Sequence, residues 1–340
     1  MPKQLPIKQP YPPMEAQLVD KIPSGPDWQY EPKWDGFRCL VFRNGPRVEL
    51  QSKSGQSLTR YFPELVAAVA SLKPKQCVMD GEITVPAAGG SSFDDLLLRI
   101  HPAASRIEKL SGETPARLLV FDLLVDAAGK SLVAEPLKIR RRELEAFAKQ
   151  HFADKERIQL SPCTRSLATA QKWLNAARVG FDGVVAKRLD MPYAAGERTA
   201  MQKVKRMRTA DCVVGGFRYA SNARVVGSLL LGLYDDNGLL HHVGFTSSFN
   251  EAEKKELTKI LKPLIKAPGF TGNKPGGPSR WSTKRSSEWE PLETKLVAEV
   301  QYDHFSGGRF RHGTKFLRWR FDKKPRRCDF DQIRAARKKK

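Results

Sequence analysis

Lys33 stands in a local sequence that suits a nucleophile. It follows Pro32, precedes Asp35 and Gly36, and comes directly before a run of strand type. A free lysine amine has a pKa of about 10.4, so only about one molecule in a few thousand is uncharged at pH 7. Desolvation or neighbouring cations must therefore disfavour the charged form before the amine can attack. By itself the pattern Lys-x-Asp-Gly indicates an exposed turn lysine more readily than a nucleophile.

Other segments carry side chains that could serve such a lysine. Lys203 and Lys205 lie two residues apart on a short β-type run, which places them on one face where both can reach one phosphate. Asp182, in an Asp-Gly pair, could hold a divalent metal that screens charge on reacting phosphates. A solvated strand face for the lysines and a turn position for Asp182 remain open as alternatives.

The order of these patterns resembles the covalent nucleotidyltransferase superfamily, which contains DNA ligases, RNA ligases and mRNA capping enzymes. The segments that carry the resemblance are spread over nearly the whole chain, which excludes a chance match. They are residues 31–38 (motif I), 52–55 (Ia), 80–82 (III), 121–124 (IIIa), 182–188 (IV), 203–205 (V) and 320–323 (VI). Within the superfamily the chain is most similar to the ATP-dependent DNA ligases, in particular the small bacterial DNA ligase C group.

This resemblance implies a role for each motif residue. Lys33 attacks the α-phosphorus of ATP, forms lysyl-AMP and expels pyrophosphate. Glu82 holds the ribose, and Phe121 stacks on adenine, although a plain core phenylalanine is the alternative. Asp182 and Glu82 are implied as ligands of Mg²⁺ or Mn²⁺. The further nucleotide contacts that the resemblance implies are Glu31, Arg38, Lys53, Lys187, Lys203, Lys205, Arg320, Asp322 and Lys323. In ligases the motif VI cations orient pyrophosphate during the first step, before the second domain rotates towards DNA.

The chain departs from the family pattern at three positions. Asp182 replaces the glutamate that is common in motif IV and is one methylene shorter, so its metal contact can run through water. Lys53 replaces the arginine that is usual in motif Ia, and a lysine cannot form the bidentate fork of a guanidinium. Met201 stands where motif V commonly has an aromatic residue.

The elements that must position these residues change in character near residue 206. Before that point, strand-type runs mix with amphipathic helices such as 140–152 and 166–178, without regular alternation. This mixture predicts an α+β fold rather than a doubly wound one. For residues 1–206 the resemblance implies an ATP-grasp-like adenylyltransferase domain, built of antiparallel sheets and helices.

Residues 207–340 combine short strands with one helix, expected over 251–266 with Leu257, Ile260, Leu261 and Leu264 on one face. Several short strands with one inserted helix predict a small β-barrel of the OB-fold type, followed here by a basic tail. The run from Tyr302 to Arg320 interleaves basic residues with aromatics and glycines, which is typical of a surface that binds oligonucleotides.

Charge points to a polyanionic partner. The chain carries 59 Lys and Arg against 37 Asp and Glu, a formal net charge of +22. So large a surplus must appear as positive surface potential, which attracts nucleic acid or polyphosphate. The resemblance narrows this partner to nicked duplex DNA and implies three steps: enzyme adenylylation, AMP transfer to the 5′-phosphate, and attack by the 3′-hydroxyl. DNA repair polymerases or other repair proteins are further expected partners.

The remaining sequence features concern location and assembly. Charges interrupt every apolar run, and the proline-rich N-terminus lacks the apolar core of a signal peptide, so we expect a cytoplasmic, nucleoid-associated monomer without membrane contact. The five cysteines form no CxxC pair, which favours reduced cysteines, four of them in the core. A separate N-terminal DNA-binding domain is not expected.

Two other functions stay open at the level of sequence. The chain could be an RNA ligase or a GTP-using capping enzyme of the same superfamily, because motif VI beside a basic OB-fold suits these enzymes too. A nucleic-acid binder with a degenerate catalytic domain is the third possibility, but it would be expected to lack Lys33 or the motif V lysines.

Overall fold

The computed structural model describes residues 4–88, 90–152, 154, 156–176, 180–221, 223–276 and 288–333. The chain divides into two compact units, Met1–Arg206 and Met207–Lys340. Each unit is described by itself below. The basic tail expected at residues 334–340, and the C-terminal end of the helix expected over 166–178, lie outside the described residues.

The first unit mixes strands and helices, as an α+β fold requires. Its strands are β1 (Gln17–Leu18), β2 (Trp28–Trp34), β3 (Phe37–Asn44), β4 (Arg47–Ser52), β5 (Gln76–Thr84), β6 (Pro86–Ala87), β7 (Gly90–Ser91), β8 (Arg117–Val125), β9 (Ile158–Leu160), β10 (Phe181–Arg188) and β11 (Met201–Lys205). Its α-helices are α1 (Pro63–Ala70), α2 (Phe93–Leu98), α3 (Ala104–Glu113), α4 (Leu137–His151) and α5 (Leu167–Asn175), and Thr59–Tyr61 forms a 3-10 turn.

Two sheets dominate this unit. One has the order β1-β11-β10-β2 and the other the order β4-β3-β5-β8-β9, while β6 and β7 pair separately. Neighbouring strands are antiparallel, as the sequence predicts, except for the edge pairs β1–β11 and β8–β9, which are parallel. The connection between β2 and β3 spans only two residues, so the chain passes directly from one sheet to the other beside the motif I lysine.

Local sequence explains the main elements of this unit. β3 and β4 form a hairpin whose turn contains Gly45, at a φ of 62° that favours glycine. β8 is almost continuously apolar and buried along its length, as expected for a strand covered on both faces. Helix α1 starts with Pro63 in its first turn, where the missing N–H costs nothing.

The second unit is built on one highly curved sheet. Its strands are β12 (Arg208–Ala220), β13 (Ala223–Tyr234), β14 (Leu240–Thr246), β15 (Glu290–Pro291), β16 (Val297–Tyr302), β17 (Phe305–Ser306), β18 (Arg309–Phe310) and β19 (Lys315–Trp319). The main order is β14-β13-β12-β16-β19, with β15 on β12 and β17 paired to β18. A parallel bridge joins Thr246 at the end of β14 to Thr314 beside β19. The two edges of the sheet therefore meet, as in a closed barrel.

Helix α6 (Glu251–Leu261) packs on β13. Asn250 and Glu253 form a reciprocal capping box at its start, with hydrogen bonds of 2.9 and 2.7 Å. The predicted continuation to residue 266 is wrong: Lys262–Leu264 forms a 3-10 turn containing Pro263, which has no N–H for the helical ladder. The predicted apolar face is also incomplete, because Ile260 is 37% exposed.

The cysteines follow the prediction. Cys39, Cys77, Cys212 and Cys328 are free and buried, and Cys163 is free and half-buried. Burial raises the pKa of Cys77 and of Cys328 to about 12, which keeps both thiols protonated and unreactive at neutral pH. In the described part of the chain no helix is long and apolar enough to cross a membrane.

Candidate active site

One cavity of the first unit collects most of the predicted site residues. It spans about 800 Å³ including open solvent at its mouth, within the range of small-molecule pockets. Both sheets contribute to its wall, and the segment before β1 closes one side with Pro13, Met14, Glu15 and Ala16. The predicted residues that line it are Glu31, Lys33, Arg38, Lys53, Glu82, Phe121, Lys187 and Lys203.

Lys33, on β2, is held by a carboxylate from the neighbouring strand. Its Nζ lies 2.8 Å from Oδ1 of Asp182, and both side chains are largely buried. The register of β2 and β10 pairs Lys33 with Gly183, which brings the adjacent Asp182 within reach. Burial by itself would lower the pKa of Lys33. The negative charges of Asp182, Glu82 and Asp35 have the larger effect, and the pKa is raised. The site therefore favours the charged amine, whereas nucleophilic attack requires the neutral one.

Two motif glycines allow this close approach of strands. A Cβ on Gly36 would collide with the backbone oxygen of Ile83, and one on Gly183 with that of Val204. A larger residue at Gly36 would be forced against β5, and one at Gly183 against β11, close to the residues Lys33 and Asp182 that precede them. Packing therefore requires glycine in the Asp-Gly pairs of motifs I and IV, and the sequence alone does not reveal this requirement.

Glu82, on β5, is the second carboxylate beside Lys33. Burial raises its pKa to about 7, although the positive charges of Arg38 and Lys33 oppose the shift. A carboxyl that ionises near neutrality in a cavity is typical of a functional site. In the β3–β5 register Glu82 pairs with Arg38, so the two side chains reach the cavity together.

Arg38 is fixed by a network behind the cavity. Its Nε and Nη2 each donate to Asp80 at 2.6 Å, and the Tyr193 hydroxyl also donates to Asp80 at 2.6 Å. The Met14 N–H in turn donates to the Tyr193 hydroxyl at 3.0 Å. This chain of hydrogen bonds ties the N-terminal wall of the cavity to the sheet, and it sets the direction of the guanidinium.

Phe121 and Lys187 meet at the back of the cavity. Nζ of Lys187 lies 4.4 Å from the centroid of the Phe121 ring, and Cζ of Arg38 lies 4.6 Å from it. Lys187 also forms an ion pair with Glu31 at 2.8 Å, in which both side chains are only 3% exposed. Because Phe121 is 8% exposed, only a small area of its ring faces the cavity.

Lysines and one carboxylate surround the mouth of the cavity. Burial and the nearby positive charges of Lys33, Lys53 and Lys205 lower the pKa of Lys203. Lys53 is more exposed and pairs with Glu15 at 3.1 Å, and Glu15 also pairs with Arg198 at 3.0 Å. Positive charge is thus concentrated where phosphates would enter.

The motif VI residues lie in the second unit, just after β19. Arg320 donates from Nε and Nη2 to Asp322, at 2.9 and 2.8 Å. Its Nη1 donates to both carboxylate oxygens of Asp211, at 3.0 and 3.1 Å, and Lys323 donates to Asp211 at 2.8 Å. Hydrogen bonding to Arg320 lowers the pKa of Asp322 to about 2.

Several residues of these networks were not predicted to belong to the site, although Asp80 falls within motif III. Asp80 offers a signal in hindsight, since a charged residue inside an apolar strand needs a partner. Asp211 likewise opens the apolar run of β12. Tyr193 and Glu15 lie in loops or at the start of the chain, and their roles depend on contacts to residues far away in sequence.

Comparison with known proteins identifies the family. The family model described as the ATP dependent DNA ligase domain matches residues 13–205, and the one described as the ATP dependent DNA ligase C terminal region matches residues 222–323. The chain belongs to the ATP-dependent DNA ligase family. The resemblance inferred from the motifs is therefore confirmed.

Individual relatives agree with this assignment. The chain is 43% identical to DNA ligase C2 of Mycolicibacterium smegmatis, over 97% of this chain and 96% of that protein. It is 31% identical to the multifunctional non-homologous end joining DNA repair protein LigD of Mycobacterium tuberculosis, over 88% of this chain and 37% of that protein. A solved structure from a study of Lig E DNA ligases has a TM-score of 0.56 at 14% identity, over 91% of this chain and 99% of that chain, which is a likeness of fold.

Proposed function

We propose that this chain seals nicks between a 5′-phosphate and a 3′-hydroxyl in duplex DNA, through lysyl-AMP on Lys33 and a DNA-adenylate. One observation carries the proposal. Lys33 lies in a cavity with the acidic, basic and aromatic residues that nucleotide transfer needs, in a chain that belongs to the ATP-dependent DNA ligases. The three steps need positioning and charge stabilisation more than covalent help from further residues.

In the first step a bond forms between Nζ of Lys33 and the α-phosphorus of ATP. The bond from that phosphorus to the pyrophosphate oxygen breaks, and the ammonium of Lys33 gives up two of its three protons to water, which leaves an N–H phosphoramidate whose phosphoryl oxygen stays anionic. The ion pair with Asp182 opposes this step, because it raises the pKa of Lys33. We propose that Lys33 becomes a nucleophile when the carboxylate of Asp182 is engaged elsewhere and the lysines near the cavity mouth dominate its surroundings.

The donor set suits a divalent cation bound together with a nucleotide. Within the described residues no three His, Cys, Asp or Glu side chains form a metal cluster. Magnesium in nucleotide sites usually takes one or two carboxylates and completes its shell with phosphates and water. Asp182 and Glu82 supply that number of carboxylates beside Lys33. Such a cation supplies positive charge next to the reacting phosphate.

The nucleotide contacts follow from the cavity wall. We propose that adenine lies against the exposed part of Phe121, with Glu31 and Lys187 beneath it and the ribose towards Glu82. The phosphates would face Lys53 and Lys203 of the cavity wall, with Lys205 close enough to Lys203 for its charge to act there. Lys53 must then exchange its present partner, the Glu15 carboxylate, for a phosphate oxygen.

We further propose that residues 1–206 act as the adenylation domain and residues 207–340 as an OB-fold domain. The closed sheet of the second unit and helix α6, which packs on it, support this assignment. Its motif VI residues, Arg320, Asp322 and Lys323, would act on pyrophosphate in the first step. The net charge of +22 supports a grip on the DNA backbone.

Incubation with ATP labelled at the α-phosphate tests the first step. Label should stay on the denatured protein, and Lys33→Ala should abolish it. Lys254→Ala is a matched control, because Lys254 has a similar exposure of 21% against 22% for Lys33 and also forms an ion pair. Label that remains in Lys33→Ala, on another residue, would contradict the assignment of the nucleophile.

Sealing of a nicked duplex tests the whole reaction. ATP and Mg²⁺ should support sealing of a DNA nick, and comparison of DNA with RNA 3′ ends measures the strand preference. Label retained from GTP but not from ATP would instead favour a capping enzyme.

We also propose a role in DNA repair, with repair polymerases or other repair proteins as partners and a monomer as the active form. The printed description of LigD as a DNA repair protein supports the pathway. Light scattering of the purified chain, alone and with nicked DNA, tests the monomer, and a stable dimer would contradict it.

A further inference from the structure

The two motif VI cations share one carboxylate. Arg320 and Lys323 both donate to Asp211, which precedes them by 109 and 112 residues. The Lys323 N–H also donates to the Arg320 carbonyl at 3.2 Å, so the two residues occupy one turn of the backbone. Asp211 therefore receives both cations on the same side of that turn.

Asp211 is more firmly held than Asp322, the other carboxylate that accepts hydrogen bonds from Arg320. A third carboxylate, Glu299, lies 3.9 Å from Nη1 of Arg320. The side chain of Asp211 is 13% exposed, whereas that of Asp322 is 66% exposed. Gln332 clamps the Asp211 backbone from the C-terminal side: the Asp211 N–H donates to Oε1 at 2.8 Å, and Nε2 donates to the Asp211 carbonyl at 2.9 Å. On the other side, Asp211 pairs in register with Glu299 of β16. Because the backbone of Asp211 is held on both sides, its carboxylate can set the orientation of the flexible Arg320 and Lys323 side chains.

The hydrogen bonds divide the guanidinium of Arg320 into two halves. Asp322 takes the Nε and Nη2 edge, and Asp211 takes Nη1. Loss of Asp322 would free an exposed edge of Arg320 and leave Lys323 in place. Loss of Asp211 would remove both hydrogen bonds of Arg320 Nη1, which would keep Glu299 at 3.9 Å, and would release the ammonium of Lys323 at the same time.

We propose that Asp211 is a positioning residue for the first step of the reaction, which holds Arg320 and Lys323 as one unit in the geometry they need to act on the leaving pyrophosphate. The inference rests on the proposed function, since it takes the role of the two cations from motif VI. In this role Asp211 acts through Arg320 and Lys323, because it limits the rotamers of the two cations before ATP arrives.

The variant Asp211→Asn tests this role, because it keeps the shape and removes the charge. Misplacement of catalytic groups by about 1 Å can cost about 100-fold in rate, so we expect lysyl-AMP formation to slow by about 10-fold to 100-fold. The effect should fall on kcat more than on the KM for ATP, since the cations are needed where charge develops on the leaving group. Sealing of a nick that already carries AMP should proceed at the rate of the unaltered chain, and Asp211→Glu should restore part of the first step.

Asp235→Asn is the matched control. Asp235 is also a half-buried carboxylate of the second unit, but its partner is His241. This variant should adenylylate normally. Equal slowing of all steps in Asp211→Asn, together with a lower melting temperature, would reveal a structural role only and overturn the proposal. Adenylylation of Asp211→Asn at the normal rate would also overturn the proposal, while the proposed ligase function would still stand.

A second measurement does not depend on activity. Acetic anhydride labelling followed by mass spectrometry reports the reactivity of Lys323, with Lys254 as the internal reference. We expect Asp211→Asn to raise the reactivity of Lys323 several-fold, because its ion pair at 2.8 Å is lost. If the unaltered chain formed no lysyl-AMP, the proposed function would fail, while unchanged Lys323 reactivity would overturn the positioning role separately.

Discussion

Replacement of Glu82 by glutamine should make the chain more stable at neutral pH and less able to react. Burial raises the pKa of Glu82 from 4.5 to about 7 in the folded protein. Below pH 4.5 the carboxyl is protonated in both the folded and the unfolded states and contributes no difference. As the pH rises from 4.5 to 7, the unfolded chain loses this proton first, so the free energy of unfolding falls. Above pH 7 the full penalty is present.

The size of the effect follows from the pKa. One pKa unit corresponds to about 1.4 kcal/mol, so the rise to about 7 sets an upper limit of about 3 kcal/mol. Solvent at the open cavity reduces that limit, and we expect Glu82→Gln to gain about 1–3 kcal/mol at pH 8 and less than about 1 kcal/mol at pH 5. Glutamine has the same shape but never ionises, so the change isolates the charge.

Urea unfolding of both proteins at several pH values between 5 and 8, in EDTA, measures the difference. Titrations elsewhere in the chain are common to both proteins and cancel in the difference. A stability gain that does not grow with pH, or one that grows towards acid, would refute the reasoning. The same variant should lose lysyl-AMP formation, which would show that the site retains Glu82 for function at a cost in stability.

Two other substitutions, one in each unit, test how buried charge affects the free energy of unfolding. Lys187→Met should lower the free energy of unfolding by about 3–5 kcal/mol in a urea titration, because it leaves the buried Glu31 carboxylate unpaired. Adding Glu31→Gln should recover most of this loss. If Lys187→Met were as stable as the parent, Lys187 and Glu31 would not form a buried ion pair. In the second unit, burial and then the charge of Arg309 lower the pKa of His242 to about 3, so the folded protein should lose stability as the pH falls from about 6.5 towards 3, when only the unfolded chain takes up the proton. Thermal melts of His242→Phe should show a weaker pH dependence in this window, and an unchanged slope would exclude His242 as its source.

Local patterns predicted most elements of the fold. The hairpin at Gly45, the buried run of β8 and the cap at Asn250 each depend on a few neighbouring residues, so sequence alone locates them. Helix α6 was predicted too long because its apolar spacing continues past Pro263, where the backbone cannot. The parallel edge pairs were missed because pairing direction depends on where distant strands meet.

The sequence by itself determined the family and the chemical types of the site residues, because ordered motifs preserve residue type and spacing. Only the tertiary structure decided how those residues interact. Asp182 lies 149 residues from Lys33 and becomes its partner through the register of β2 and β10. Asp211 reaches motif VI through the clamp of Gln332 and the pairing of β12 with β16. Charge states depend on burial and on distances through space, and these are fixed only when the strands pair and the cavity closes.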